Sequence, residues 1–97
     1  MSTLVTERDV FAESVQFSQD SMTVALDDGR TISVPLTWYP RLLNGTKVER
    51  EKYGLIGDGE GIHWPDLDED ISVAGLLSGK PSAESDASFA WWLQSRR

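Results

Sequence analysis

The chain has 97 residues, 39% of them hydrophobic and none of them cysteine, with 16 acidic residues against 9 basic ones for a formal net charge of -7. That length suits one domain with one modest core, and the lack of cysteine excludes disulfide frameworks, thiol nucleophiles, thiolate zinc sites and iron–sulfur clusters. The acidity argues against direct binding of nucleic acid or an anionic membrane, both of which call for basic surfaces, and it suits a basic protein partner.

Met1 to Val10 reads as a leader to the fold. It carries Glu7, Arg8 and Asp9 and no apolar h-region, unlike a secretory signal, so the cytoplasm is the expected compartment. From Phe11 to Phe17, alternation predicts a strand with Phe11, Glu13, Val15 and Phe17 on one face. Met22, Val24 and Leu26 predict a second strand, and Ile32, Val34 and Leu36 a third. Asp27-Asp28-Gly29-Arg30 joins these last two as a tight hairpin with Gly29 at positive φ. Residues 11 to 36 are thus expected to form a three-stranded antiparallel meander with one face to cover.

Thr37 is expected to cap a short helix that begins around Trp38-Tyr39-Pro40 and is stopped by Asn44-Gly45. Thr46-Lys47-Val48-Glu49 has the spacing of a capping box, which predicts a second short helix to Lys52. Tyr53 to Gly57 and Ile62 to Trp64 are brief apolar runs around Asp58-Gly59-Glu60-Gly61, a second, shorter hairpin. Ile71, Ala74 and Leu77 then share a helical face that ends at Ser78-Gly79. Residues 80 to 88 read as a linker, and a C-terminal helix from about Asp86 to Ser95 is expected, with Phe89, Trp92 and Leu93 on one stripe. The fold class is α+β, organised as a leader over 1–10, a compact domain over 11–79, and a linker with the C-terminal helix over 80–97.

No residue is singled out as catalytic, and no cofactor motif is present. Asp66-x-Asp68-x-Asp70 opens like a calcium loop, but Ile71 and Leu77 stand where such a loop needs Gly and Glu. These acids are expected to cap the following helix, with no metal site. His63 is the one histidine, without a nucleophile motif to complete a catalytic constellation. Four tryptophans are many for this length. Trp38 and Trp64 sit beside prolines at element boundaries, where a ring with one polar N–H can lid a small core. Trp91 and Trp92 point about 100° apart on a helix, so one of them is left for contact.

The stretches Leu26 to Arg30, Val34-Pro35-Leu36-Thr37-Trp38-Tyr39-Pro40-Arg41-Leu42 and Gly61-Ile62-His63-Trp64-Pro65-Asp66-Leu67-Asp68-Glu69-Asp70-Ile71-Ser72-Val73 resemble a family of small prokaryotic proteins defined only as a domain of unknown function. The resemblance covers roughly residues 10 to 78, and Thr37 departs from the Glu of that pattern. It implies a compact α+β unit with no assigned activity. Some members look like one half of a pair with a short basic protein, in the manner of toxin and antitoxin; others resemble a module fused to a helix-turn-helix reader. The residues after Ser78 are too few for such a reader.

Three functional readings follow. The leading one is a non-catalytic protein-interaction domain, the acidic partner of a basic protein, with Trp91, Trp38, Trp64, Asp66 and Asp68 as contact residues. The second is a small enzyme or ligand-binding domain with a pocket near His63, Trp64 and the acidic loop. The third is a homo-oligomer that self-associates through the C-terminal tryptophan helix.

Overall fold

The structure, a computed structural model, describes residues 10–96; most of the expected leader lies outside them. Two three-stranded antiparallel sheets and short helices make an α+β fold. The first sheet runs β1 (Ala12–Phe17), β2 (Ser21–Leu26), β3 (Thr31–Pro35) in that spatial order. Its central strand presents Met22, Val24 and Leu26 to the core, each almost fully buried. The turn after β2 places Gly29 at φ 94, the left-handed conformation expected of it.

The first strand departs from simple alternation. Its register with β2 shifts between Ala12 and Ser14, a bulge that inserts one residue and changes the phase of the pleat. Ala12 and Val15 therefore face the core together, and Glu13 is turned out to solvent. The bulge removes the conflict of a glutamate on an apolar face.

A 3-10 turn over Leu36–Trp38 follows β3, then α1 (Pro40–Leu43) and α2 (Lys47–Glu51). Thr37 is not a cap: it lies inside the 3-10 turn, and α1 starts at Pro40 with no side-chain cap. The reason is Pro40, which disfavours a helical conformation in the residue before it; Tyr39 has φ -130 and ψ 87. The capping box is present as expected. Thr46 Oγ1 accepts from the Glu49 N–H at 3.1 Å, and Glu49 Oε1 accepts from the Thr46 N–H at 2.8 Å.

The second sheet runs β4 (Gly54–Ile56), β5 (Gly61–Trp64), β6 (Glu69–Ser72). The first two strands are the expected hairpin. The third corrects the expectation that the acids near residue 70 cap a helix. Glu69 and Asp70 instead pair with Trp64 and His63 across β5, and α3 (Val73–Leu77) begins after Ser72, whose hydroxyl accepts from the Gly75 N–H. Acidic residues have little intrinsic preference for strands, so only the neighbouring strand recruits them.

The two sheets are joined at β1, where the Ala12 N–H donates to the Gly59 carbonyl at 2.7 Å. Between sheets and helices, Leu36, Leu42, Ile62, Trp64, Leu67 and Leu76 are all buried in one core. A C-terminal helix, α4 (Asp86–Ser95), completes the fold. Residues 80–85 have no regular structure but are held to the body. The Ser82 N–H donates to the Trp38 carbonyl at 2.9 Å, and the Tyr39 hydroxyl donates to the Lys80 carbonyl at 3.3 Å. Among the described residues, no helix is long and apolar enough to cross a membrane.

Candidate interaction surface

The C-terminal helix is fixed on one side and bare on the other. Ser85 caps its start by accepting from the Ser88 N–H at 3.1 Å, and Asp86 in the first turn suits the positive end of the helix. Phe89 and Leu93 pack against the core, and Trp92 is buried. The Phe89 and Trp92 rings stack with centroids 5.8 Å apart.

Two arginines hold Trp92. The Arg41 guanidinium lies 5.1 Å from its ring centroid and that of Arg96 4.6 Å, distances at which a cation is attracted to the ring face. Arg41 in turn donates from Nε and Nη2 to the Glu84 carboxylate, at 3.0 and 2.5 Å, and from Nη1 to the Leu67 and Asp68 carbonyls. Both partners of this bidentate pair are largely shielded from water. The hydrogen bonds from Arg41 hold the Glu84 carboxyl below its ordinary pKa and raise that of Arg41. Arg96 makes a second bidentate pair, with Glu49 of α2, at 2.8 and 3.2 Å. That hydrogen bonding from Arg96, with the Thr46 N–H, brings the Glu49 carboxyl down to about 2. The residues that flank α4 at its two ends thereby tie it to α1 and α2 through charged groups.

Trp91 lies on the opposite side and is 72% exposed. The helix that carries it is tethered at both ends, so the backbone that presents the indole is fixed in place. Trp38 is half-buried in the 3-10 turn, edge-on to Tyr39. Trp64 cannot be a contact residue, a correction to the sequence reading: it is fully buried, and its indole N–H donates to the Arg50 carbonyl at 2.9 Å. The boundary position beside Pro65 made it look like a lid, but β5 is the central strand of its sheet and its inner face carries the ring into the core.

The three aspartates of the acidic loop go to three different partners. Asp66 accepts from Lys52 Nζ at 2.9 Å, Asp68 lies 3.7 Å from Arg41, and Asp70 pairs with His63 across the strands. Asp68 takes φ 51 in the turn between β5 and β6, a conformation that Asp tolerates better than most residues. Among the described residues no group of three or more His, Asp or Glu is placed to hold a metal ion. His63 and Asp70 share the outer face of the second sheet.

Glu69 is the titratable group that sequence reasoning missed. It pairs with Trp64 on β6, and alternation puts it on the core side with Ile71. It lines a cavity of about 260 Å³ with Tyr39, Ile71 and Lys80. Burial raises its carboxyl to about 7; Arg41 opposes this, while Glu84, Asp70 and Asp68 reinforce it. A carboxyl with a folded-state pKa above its unfolded value binds its proton more tightly in the native state. Its cost is therefore absent at pH 4, grows as pH rises from about 4.5 to 7, and is full above that. Glu69→Gln is expected to raise the thermal midpoint at pH 8 and to leave it nearly unchanged at pH 4. Melts of both proteins across that range check it, and a variant equally destabilised at both pH values would contradict it.

A family model described as "Protein of unknown function (DUF2442)" matches residues 12–82. The fold is similar to the crystal structure of a protein of unknown function from Rhodospirillum rubrum, 24% identical, covering 84% of this chain and 99% of that one, with a TM-score of 0.68. It is also similar to the solution structure of an uncharacterized protein from Chromobacterium violaceum, 20% identical, covering 89% of this chain and 75% of that one, with a TM-score of 0.65. At these identities the likeness is one of fold. No curated protein matches the chain.

Proposed function

The chain belongs to the DUF2442 family, and we propose that it is a non-catalytic protein-interaction domain whose outer α4 face, anchored by Trp91, binds a basic protein. The observation that carries this reading is the contrast within α4. Trp92 is clamped by two arginines while the adjacent Trp91 is 72% exposed on the same rigid helix. Exposed tryptophans are frequent energetic anchors of interfaces, and one on a tethered helix needs no backbone ordering to bind. The formal charge of -7 favours a basic partner, since it accelerates encounter and selects against acidic surfaces. The indole face itself attracts Lys and Arg side chains. An antitoxin-like role toward a short basic protein is the specific form of this reading.

Alanine variants at the two tryptophans separate anchoring from packing. Trp92→Ala is expected to cost about 3 kcal/mol of stability, because a buried ring and two cation–π contacts are lost. Trp91→Ala should leave the unfolding midpoint nearly unchanged and weaken partner binding by about 30-fold, equivalent to about 2 kcal/mol. The chain is used as bait in its own cells, and each basic protein retained is purified and titrated against both the parent and Trp91→Ala. A basic partner that binds the variant as tightly as the parent would sink the proposal. So would concentration-dependent self-association that Trp91→Ala abolishes, which would assign the face to a second copy of the chain.

A further inference from the structure

We infer that the groove between the outer edge of β1 and α2 is a binding site for a small carboxylate that carries a flat apolar group. The groove has a volume of about 580 Å³ and is lined by Val15, Phe17 and Tyr53 on its apolar side, by the charged Lys47, Arg50 and Glu51, and by the neutral polar side chains of residues 16, 18 and 19 at its rim. That size lies within the range of small-molecule sites, which combine an apolar body with a few convergent polar groups. The two aromatic rings that wall it are themselves fixed: both lie 6.3 Å from the buried Trp64 ring.

Several donors on this groove have no acceptor among the described residues. The Arg50 guanidinium spends Nε on the Leu42 carbonyl and Nη2 on the Leu43 carbonyl, at 2.7 and 2.8 Å. Its Nη1 has no acceptor among the described residues, and those two bonds hold it in place near the Phe17 ring. The Tyr53 hydroxyl accepts from the Val15 N–H at 3.0 Å; its own proton has no acceptor among the described residues. Lys47 has one loose contact, 4.0 Å from Glu51. On β1, the Val15 N–H points outward to Tyr53 while the Ser18 N–H points inward to Ser21. Strand alternation then turns the Phe17 N–H outward, along the same edge as Val15. Arginine, lysine, phenol and backbone donors around one cavity suit an acceptor-only group, and a carboxylate is the simplest such group. Two bases and one acid give the lining a net positive charge in a chain of net charge -7, so the preference for an anion is local to this groove. Phe17 and Tyr53 provide the apolar surface for an aryl body.

Phenylacetate is a suitable probe, followed by amide shifts in the nitrogen–proton NMR spectrum of the full chain. Saturable shifts confined to residues 15–19 and 47–53 are expected, with a Kd on the order of 1 mM. Phenylacetamide, which keeps the ring without the charge, and acetate, which keeps the charge without the ring, should each bind at least about ten-fold more weakly. Tyr53→Phe and Lys47→Gln should each weaken phenylacetate by about three-fold or more. The Lys47 side chain is 86% exposed, so that variant keeps the fold even where Tyr53→Phe does not. Absence of saturable shifts up to about 20 mM, which corresponds to a free energy of only about 2 kcal/mol, would overturn the assignment. Equal binding of the amide, or unchanged affinity in Lys47→Gln, would overturn it too.

Discussion

Gly59→Ala is expected to be among the most damaging single substitutions in the chain, although it adds one methyl group to a turn. Gly59 has φ 111, outside the regions open to residues with a side chain. A Cβ there would stand 2.4 Å from the Ala12 carbonyl oxygen and 3.0 Å from the Ala12 nitrogen. Both are backbone atoms of the bulged strand and cannot swing aside as a side chain would. The strain of the dihedral and the collision each cost about 1–3 kcal/mol. Relief would separate the turn from β1 and break the bond from Ala12 to Gly59 that joins the two sheets. A loss of about 3 kcal/mol or more corresponds to a fall in thermal midpoint of more than about 10 °C in a domain of this size. Gly29→Ala is the control. Gly29 also has positive φ, but nothing lies within 4 Å of its absent Cβ, so only the backbone term of about 1 kcal/mol remains. Equal losses at the two positions would mean that the sheet junction is not the vulnerable point.

Trp64→Ala should cost about 4 kcal/mol, within the range for removal of a large buried aromatic side chain. The ring is fully buried, lies between Phe17 and Tyr53, and uses its N–H on the Arg50 carbonyl. The alanine variant opens a cavity under both sheets and leaves that carbonyl without its partner. Trp64→Phe keeps most of the ring contacts and loses the hydrogen bond, so it should cost less than half as much. Urea unfolding followed by circular dichroism reads both. A Trp64→Ala loss below about 1 kcal/mol would return this residue to the surface and reopen its candidacy as a contact residue.

The Trp64 ring and helix α2 link the groove to the clamp on α4. Trp64 supports the aromatic wall of the β1–α2 groove, while the Arg50 backbone that accepts its N–H belongs to the residue whose side chain faces that groove. On the other side of α2, Glu49 ties down α4 through Arg96. The Glu49 carboxyl has a folded-state pKa of about 2 against 4.5 ordinarily. Its contribution is fully present above pH 4.5 and is lost only as pH falls toward 2. The α4 tether therefore persists over the range in which Glu69 begins to destabilise the fold from the opposite direction.

Wherever the determinants are local, they could be read from the sequence. Asp27-Asp28-Gly29-Arg30 specifies its hairpin because Gly29 alone accepts the turn conformation there at no steric cost. Thr46 and Glu49 specify the start of α2 because both partners of the capping box lie three residues apart. Helical geometry alone separates Trp91 from Trp92, and the exposed and buried rings fall as the stripe of Phe89, Trp92 and Leu93 predicts. The tertiary structure decided what depends on distant neighbours. Strand β6 exists because β5 offers it hydrogen bonds; its own acids disfavour a strand. Glu13 leaves the apolar face through a bulge that only pairing with β2 reveals. Gly45 reads as a left-handed helix stop, yet its φ is not positive; its missing Cβ makes room for Leu67, whose Cδ1 would lie 2.8 Å away. Arg41 and Glu84, forty-three residues apart, meet only once α4 docks, and Glu69 acquires its raised pKa only when the core closes over it. Helix caps and turns are satisfied within a few residues, so a local pattern specifies them. Burial and ion pairing depend on which distant segments pack together, and no spacing along the chain carries that information.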